Sequence, residues 1–222
     1  MTMRLSRCAG LIAISIAGRS LGAQDSLHFV GGDVTTSREV SQIIDAVAAQ
    51  GLPAGLILSK ARFAVAVHTP GPKIVETAKA MAARLVVAKT AIAPHIQESD
   101  LAGAEAALSY DVPVDILRRI SSARPREPIA VPLGVLTQLV ADRVPAKRAG
   151  EIVTDLLHRG ATMTQLADLG NKVDDDVKIG GYQAIDAANM RYNGLGPHLA
   201  PLPRSSSATD AGLAASSPPK KP

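Results

Sequence analysis

The positions of proline and glycine constrain this fold more than any other feature of the sequence. Proline lacks a backbone N–H, so a helix tolerates it in the first turn but not in the interior. Three pairs of an apolar residue and a proline each mark the end of one predicted helix and the start of the next. These pairs are Leu52-Pro53, Val112-Pro113 and Val144-Pro145. Their unequal spacing indicates a loose repetition of helical hairpins, not a fixed repeat.

Between these breaks, apolar residues recur at three- and four-residue steps, as a helix with one buried face requires. The chain has only two Phe and three Tyr and no Trp, a composition that favours helices over strands. We therefore predict an all-α fold, a single domain of about eight or nine short helices packed as helical hairpins over residues 35–192. The helix predicted over 54–68 is apolar nearly all round, which predicts that neighbouring helices bury it.

Two helix starts show the spacing of a capping box, in which Ser or Thr precedes Glu or Gln by three residues. One is Thr36 with Glu39, and the other is Thr162 with Gln165. The first predicts where the helical domain begins, and the second predicts the start of a helix that runs towards Gly180.

The first 23 residues have the layout of a secretory signal peptide. Arg4 and Arg7 precede a short apolar run, and small residues at 20–23 offer a cleavage site. The run is shorter than the roughly 20 residues that span a bilayer. An export signal predicts a periplasmic or extracellular protein; a transit peptide is the alternative. Cleavage would remove Cys8, the only cysteine, and would leave a mature chain without thiol or disulfide chemistry.

Two further segments are predicted to lie outside the helical domain. Residues 24–34 form an irregular lead-in, and residues 193–222 form a disordered tail rich in Pro, Ser and Ala. Basic residues at the two ends account for the high pI. Without the leader and residues 201–222, 18 Lys and Arg face 19 Asp and Glu. Overall charge therefore does not support nucleic-acid binding.

Known catalytic and ligand-binding motifs are missing from the sequence. It contains no phosphate-binding loop and no Gly-x-Ser-x-Gly elbow, and its five histidines do not show the spacing of a metal site. We therefore predict no metal and no cofactor. The run Asp174-Asp175-Asp176 lacks the alternating spacing of a calcium loop and predicts a solvated helix face.

His95, Glu98 and Asp100 form the densest set of potential acid–base groups. His95 with Glu98 is the least implausible pair for general acid–base catalysis. Asp100, however, lies at a predicted helix start, where the helix dipole and capping both favour a carboxylate. The structural interpretation is the stronger one.

A basic cluster is the local feature with the clearest potential for binding. It consists of Arg118, Arg119, Arg124 and Arg126, and guanidinium groups bind phosphates and carboxylates in pairs. The alternative is a solubilising surface.

Together these features favour a non-catalytic exported protein that binds a partner or has a structural role in the cell envelope. The partner would be an unknown protein or envelope component, and no nucleic acid or transmembrane span is expected. Whether the protein is an enzyme is left open by the sequence, which favours a non-catalytic role. Two alternatives stay open: an envelope hydrolase or lyase with a site not visible in the sequence, and an anion or acidic-partner binding module that uses the arginine cluster.

Overall fold

The computed structural model describes residues 33–195, 198 and 199. Within this range the chain forms nine α-helices and no strand, which confirms the predicted all-α fold. The helices are α1 (Val34–Ala49), α2 (Ala54–Ala66), α3 (Gly71–Ile92), α4 (Glu98–Ser109), α5 (Val114–Ala123), α6 (Ala130–Ala141), α7 (Ala146–His158), α8 (Met163–Lys178) and α9 (Ala184–Leu195). The predicted signal peptide, residues 24–32 of the lead-in and the tail beyond Leu199 lie outside the described residues.

Five helices end in the same hydrogen-bonded turn, which we call the Schellman junction. One residue adopts a positive φ between 59° and 77°, and the N–H of the next residue donates to the carbonyl five positions earlier. The residues with positive φ are Gly51, His68, Asp111, Arg143 and Gly160. The residues that follow them are Leu52, Thr69, Val112, Val144 and Ala161. All of these except Thr69 are buried, so the turn itself contributes to the core.

The three predicted Pro junctions all belong to this set. The structure adds Thr69-Pro70 and Ala161-Thr162, where the same backbone turn occurs with other residues in the apolar or proline position. The repeated unit is therefore a backbone conformation, and the apolar-Pro pair is its commonest sequence form.

Helix packing is local along the chain. Helix α3 packs against α1, α2, α4 and α5, whereas α6 packs mainly against α4, α7 and α8. Helix α9 packs chiefly on α8. Substantial contacts join only helices that are one or two positions apart in chain order, and the buried apolar residues form one continuous core.

The start of α1 differs from the prediction. Asp33, not Thr36, caps the helix, because its Oδ1 accepts the Thr36 N–H at 2.9 Å and its Oδ2 accepts the Thr36 hydroxyl at 2.7 Å. Thr36 therefore lies inside the first turn and is buried. Its side chain lies so close to Gly71 that a Cβ at position 71 would not fit. The capping box at Thr162 and Gln165 is confirmed. At the other end, α9 continues three residues past the predicted boundary at Tyr192.

The prediction that neighbouring helices bury α2 is wrong. Helix α2 lies at the edge of the bundle, where its main contacts are with α1 and α3. Ala54, Ile57, Leu58 and Ala61 face the core, but Phe63 remains 61% exposed. Its all-round apolar composition thus leaves an apolar surface facing solvent.

Two glycines offer a matched test of the junction. Neither has a neighbouring atom within 4 Å of an added Cβ, but Gly160 has φ +77° and Gly134 lies inside helix α6. Gly160→Ala should lower the free energy of unfolding by about 1 kcal/mol, because an alanine at positive φ is strained. Gly134→Ala should raise it by about 0.5 to 1 kcal/mol, because alanine favours the helix. Urea unfolding followed by circular dichroism measures both; two changes of equal sign would contradict the assignment of the junction.

Candidate functional site

The four arginines of the predicted basic cluster have different roles in the structure. Arg124 follows α5, and its guanidinium lies at the end of α7. It pairs with Glu127 at 2.6 Å and donates hydrogen bonds to the carbonyl oxygens of Leu157 at 3.3 Å and Ala161 at 3.2 Å. A cation at a helix C-terminus is favoured by the partial negative charge of the carbonyls there. Arg124 therefore has a structural role.

The other three arginines of the cluster are more exposed. Arg119 pairs with Asp115 at 3.5 Å, whereas Arg118 borders an open cavity of about 480 Å³ beside Pro94. Arg126 is exposed, and neither it nor Arg118 is paired with a described carboxylate. The cavity lies at the last turns of α3 and α5, where the helix dipoles disfavour an anion. The hypothesis of an anion site here therefore rests on Arg118 and Arg126 alone.

His95, Asp100 and Ser121 come together in the core, a convergence that the sequence did not indicate for Ser121. They are 8%, 1% and 4% exposed, respectively. His95 Nε2 lies 3.3 Å from the carbonyl oxygen of Ser121, and His95 Nδ1 lies 3.9 Å from Asp100 Oδ2. The Ser121 hydroxyl donates to the carbonyl of Ile92 at 3.0 Å. A nucleophilic serine would instead direct its hydroxyl at the imidazole.

Asp100 stabilises a helix start, although not that of its own helix. Helix α4 has no side-chain cap at Gln97. Asp100 Oδ1 instead accepts the N–H of Ile129, the residue that precedes α6, at 2.9 Å. Glu98, the partner proposed for His95, is exposed on the first turn of α4. Asp100 thus links α4 to the start of α6, Ser121 links α5 to the end of α3, and the group does not form an open acid–base site.

The strongest candidate site is a cleft between the α6–α7 turn and the α8–α9 turn, which we call the α6–α8 cleft. Its volume is about 460 Å³, within the range of small-ligand and side-chain pockets. The lining residues are Ala141, Asp142, Arg143, Pro145, Val177, Lys178, Tyr182, Gln183, Ala184 and Ile185.

One lining residue of the cleft, Asp142, interacts with a second carboxyl group, that of Asp174 on α8. Partial burial raises the pKa of Asp142, and repulsion by Asp174 raises it further. Asp174 forms an ion pair with Lys178, and this hydrogen bond lowers the pKa of Asp174 and raises the pKa of Lys178. Asp142 also lies at the C-terminus of α6, where the helix dipole disfavours a negative charge.

The surroundings of the two carboxyl groups differ. As a carboxylate, Asp142 would leave its buried Oδ2 without a hydrogen-bond donor. Burial and the neighbouring Asp174 carboxylate raise the pKa of Asp142, whereas the hydrogen bond from Lys178 lowers the pKa of Asp174, so Asp142 holds a proton more firmly than Asp174 does.

Arg143 is a cation of the cleft that is not paired with any described carboxylate. It is the residue of positive φ, 76°, in the α6–α7 junction, and it is exposed. His and Asp adopt this conformation several times more often than most other residues, so an arginine here is the unusual one of the five. Strained backbone at the edge of a cleft is an observation from which a functional role is reasonably inferred.

Exposed apolar side chains occur in the cleft at Tyr182 and Ile185, and next to it in sequence at Ile179. Ile179 is 84% exposed, Tyr182 53% and Ile185 41%. Clustered apolar and aromatic side chains beside an arginine are typical of protein interaction surfaces.

The sequence reasoning missed this site because it treated residues 174–176 as a solvated face. Only Asp175 of the three is exposed. Asp174 belongs to the carboxyl pair, and Asp176 accepts two hydrogen bonds of 2.6 Å from Arg191 on α9. One available signal was an arginine at a helix end where glycine is usual.

The described residues show neither a metal-binding cluster nor a helix that could span a membrane. Nowhere among the described residues do three His, Cys, Asp or Glu side chains come together in a way that could hold a metal ion. In the same range, none of the helices combines the length and hydrophobicity that crossing a membrane requires. No protein-family model, curated protein or solved structure matches the chain at a significant level.

The structural role of Arg124 predicts a selective effect on stability. Arg124→Ala should lower the free energy of unfolding by about 1 to 2 kcal/mol, because two carbonyls of the α7 end and one carboxylate lose their donor. Arg118→Ala should change it by less than about 0.5 kcal/mol, as exposed substitutions usually do. Urea unfolding of the two variants measures the difference, and equal effects would contradict it.

The carboxyl pair predicts a pH-dependent gain in stability for Asp142→Asn. Because the folded-state pKa of Asp142 is raised above 3.8, its contribution is full below the unfolded pKa and is lost as the pH rises through the folded pKa. The amide remains neutral, so the variant should be more stable than the parent at pH 7.5 by about 0.5 kcal/mol, a size limited by solvent screening. At pH 3 the gain should vanish.

Denaturant unfolding at the two pH values tests this, with Asp175→Asn as the exposed control that should change little at either. Destabilisation by Asp142→Asn at pH 7.5 would show that the carboxylate form is the one the fold needs.

Proposed function

We propose that this protein is a non-catalytic binding protein of the cell envelope, and that its α6–α8 cleft holds an acidic, apolar segment of a partner protein. The observation that carries the proposal is Arg143, an unpaired guanidinium held at positive φ on the edge of a cleft. The envelope location rests on the N-terminal sequence alone.

The charges of the cleft favour an anionic group. The Asp174 carboxylate is already paired with Lys178, whereas the Arg143 guanidinium is not paired with any described carboxylate, so Arg143 is the cation of the cleft that can meet a carboxylate of the ligand. The first turn of α9 also lines the cleft, through Ala184 and its neighbours, and a helix leaves its first N–H groups without intrahelical partners. A carboxylate can therefore be met by a guanidinium and by the positive end of a helix.

The apolar residues of the cleft favour a protein segment over a free anion. Val177, Tyr182 and Ile185 line the cleft together with the charged groups. Tyr182 and Ile179 are exposed apolar side chains. A ligand that fits has a carboxylate next to an aliphatic side chain. Tyr and Arg are also the residue types that most often dominate binding energy at interfaces.

The two alternatives have less support from the geometry. Acid–base catalysis by His95 and Glu98 would need both in an open site, but His95 is buried and Glu98 is exposed on α4. An anion site at residues 118–126 would rest on Arg118 and Arg126 alone, because Arg124 is bound to the end of α7 and Arg119 pairs with Asp115.

The cleft makes a sharp test possible because Arg143→Gly removes the cation while keeping the backbone conformation. Heptapeptides selected by phage display on the purified protein should contain Asp or Glu beside Leu, Ile or Val. Arg143→Gly should weaken the selected peptides at least tenfold in fluorescence anisotropy, about 1.4 kcal/mol, since a charge-assisted hydrogen bond is lost.

His68→Gly is the matched control, because it makes the same backbone change at another Schellman junction. It should leave peptide affinity unchanged, and both glycine variants should fold at least as stably as the parent. Selected peptides without carboxylates, or equal affinity for parent and Arg143→Gly, would overturn the proposal.

A further inference from the structure

Helix α2 has a second apolar stripe on the side opposite the core. The buried residues Ala54, Ile57, Leu58 and Ala61 define one face. At about 100° per residue, Leu56, Lys60, Phe63 and Val67 fall together on the other side. Phe63 and Val67 are 61% and 54% exposed, whereas Leu56, at the start of the stripe, is partly buried against the core. Apolar stripes on both sides are typical of a helix that is covered on both sides. Among the described residues, α1 and α3 are the main neighbours of α2, and they cover its core side.

The charges along this stripe have one sign. Lys60 and Arg62 are the only charged residues of α2, and neither pairs with a described carboxylate. Lys60 Nζ lies 6.0 Å from the centre of the Phe63 ring, so the exposed aromatic side chain lies next to a cation. Arg62 is exposed on the other side of Phe63.

We propose that the Leu56–Val67 stripe is a second docking surface, separate from the α6–α8 cleft, for an acidic amphipathic helix of a partner protein. Leucine-type side chains of that helix would cover Phe63 and Val67, and its flanking carboxylates would meet Lys60 and Arg62. This is helix-on-helix recognition, with anchors at three- and four-residue steps. Because α2 and α9 lie at opposite ends of the chain of packed helices, the protein would join two partner segments.

Charge complementarity separates this occupant from two others. A two-fold dimer through α2 would place the same patch of each copy face to face, which would bring Lys60 and Arg62 against their own counterparts. An anionic membrane surface is recognised by clusters of about four to eight basic residues, whereas α2 has two. A protein helix with carboxylates at its edges has neither disadvantage.

Photo-crosslinking from position 63 tests the proposal in the full-length protein. The aromatic p-benzoylphenylalanine replaces Phe63, the protein is expressed in its native host, and the irradiated adduct is identified by mass spectrometry. We expect one dominant adduct, on a partner segment in which Leu, Ile or Val recur at helical steps beside Asp or Glu. Lys60→Ser with Arg62→Ser should reduce its yield at least fivefold.

The matched control is Lys147→Ser with Lys172→Ser, which removes two exposed lysines elsewhere and should leave the yield unchanged. Arg143→Gly should also leave it unchanged, so failure of the α6–α8 cleft proposal and failure of this one are distinguishable. An adduct on a second copy, on residues 1–32 of the same chain, on lipid or on a segment without carboxylates would overturn the inference. The absence of an adduct would also overturn it, and so would equal adduct yields for the variant at positions 60 and 62 and the control variant at positions 147 and 172.

Discussion

The Schellman junction is the interaction on which the rest of this structure depends. A helix leaves its last carbonyls without intrahelical donors, and burying them unsatisfied would cost free energy at every connection. Five connections solve this in the same way, with a residue at positive φ and a hydrogen bond that spans six residues. The residue after the turn is usually buried, so each connection stabilises the core as well as reversing the chain.

Several helix ends also receive donors or acceptors from side chains elsewhere in the fold. Ser121 donates to the last carbonyl of α3, and Arg124 donates to the end of α7 in addition to its own junction. Asp100 accepts the N–H before α6. Residues whose chemistry suggested catalysis or anion binding are thus largely occupied with helix ends. The α6–α8 cleft differs because its cation, Arg143, belongs to a junction and still has no described partner.

Local rules were enough to predict the helices, whereas the site depends on contacts that local rules do not contain. Proline and glycine act on their own backbone, so helix boundaries such as Val112-Pro113 followed from adjacent residues. The cap of α1 was misplaced because Asp33 and Thr36 are both good caps, and in the structure Asp33 accepts the N–H and the hydroxyl of Thr36. Asp142 at the end of α6 and Asp174 on α8 are 32 residues apart in sequence. No periodicity of the sequence indicates that these two residues come together. Helix α2 was misjudged for a related reason: composition shows that a face is apolar but not whether anything covers it.

The restriction of packing to neighbouring helices has a consequence for how this chain comes apart. Substantial contacts join only helices one or two positions apart, as in solenoid proteins, where each unit is stabilised mainly by its neighbours. Stability in such an arrangement varies along the chain, and segments open in cooperative units from either end. Amide exchange at α1 and α2 would then proceed independently of exchange at α8 and α9, and ordering one end would leave the other unaffected.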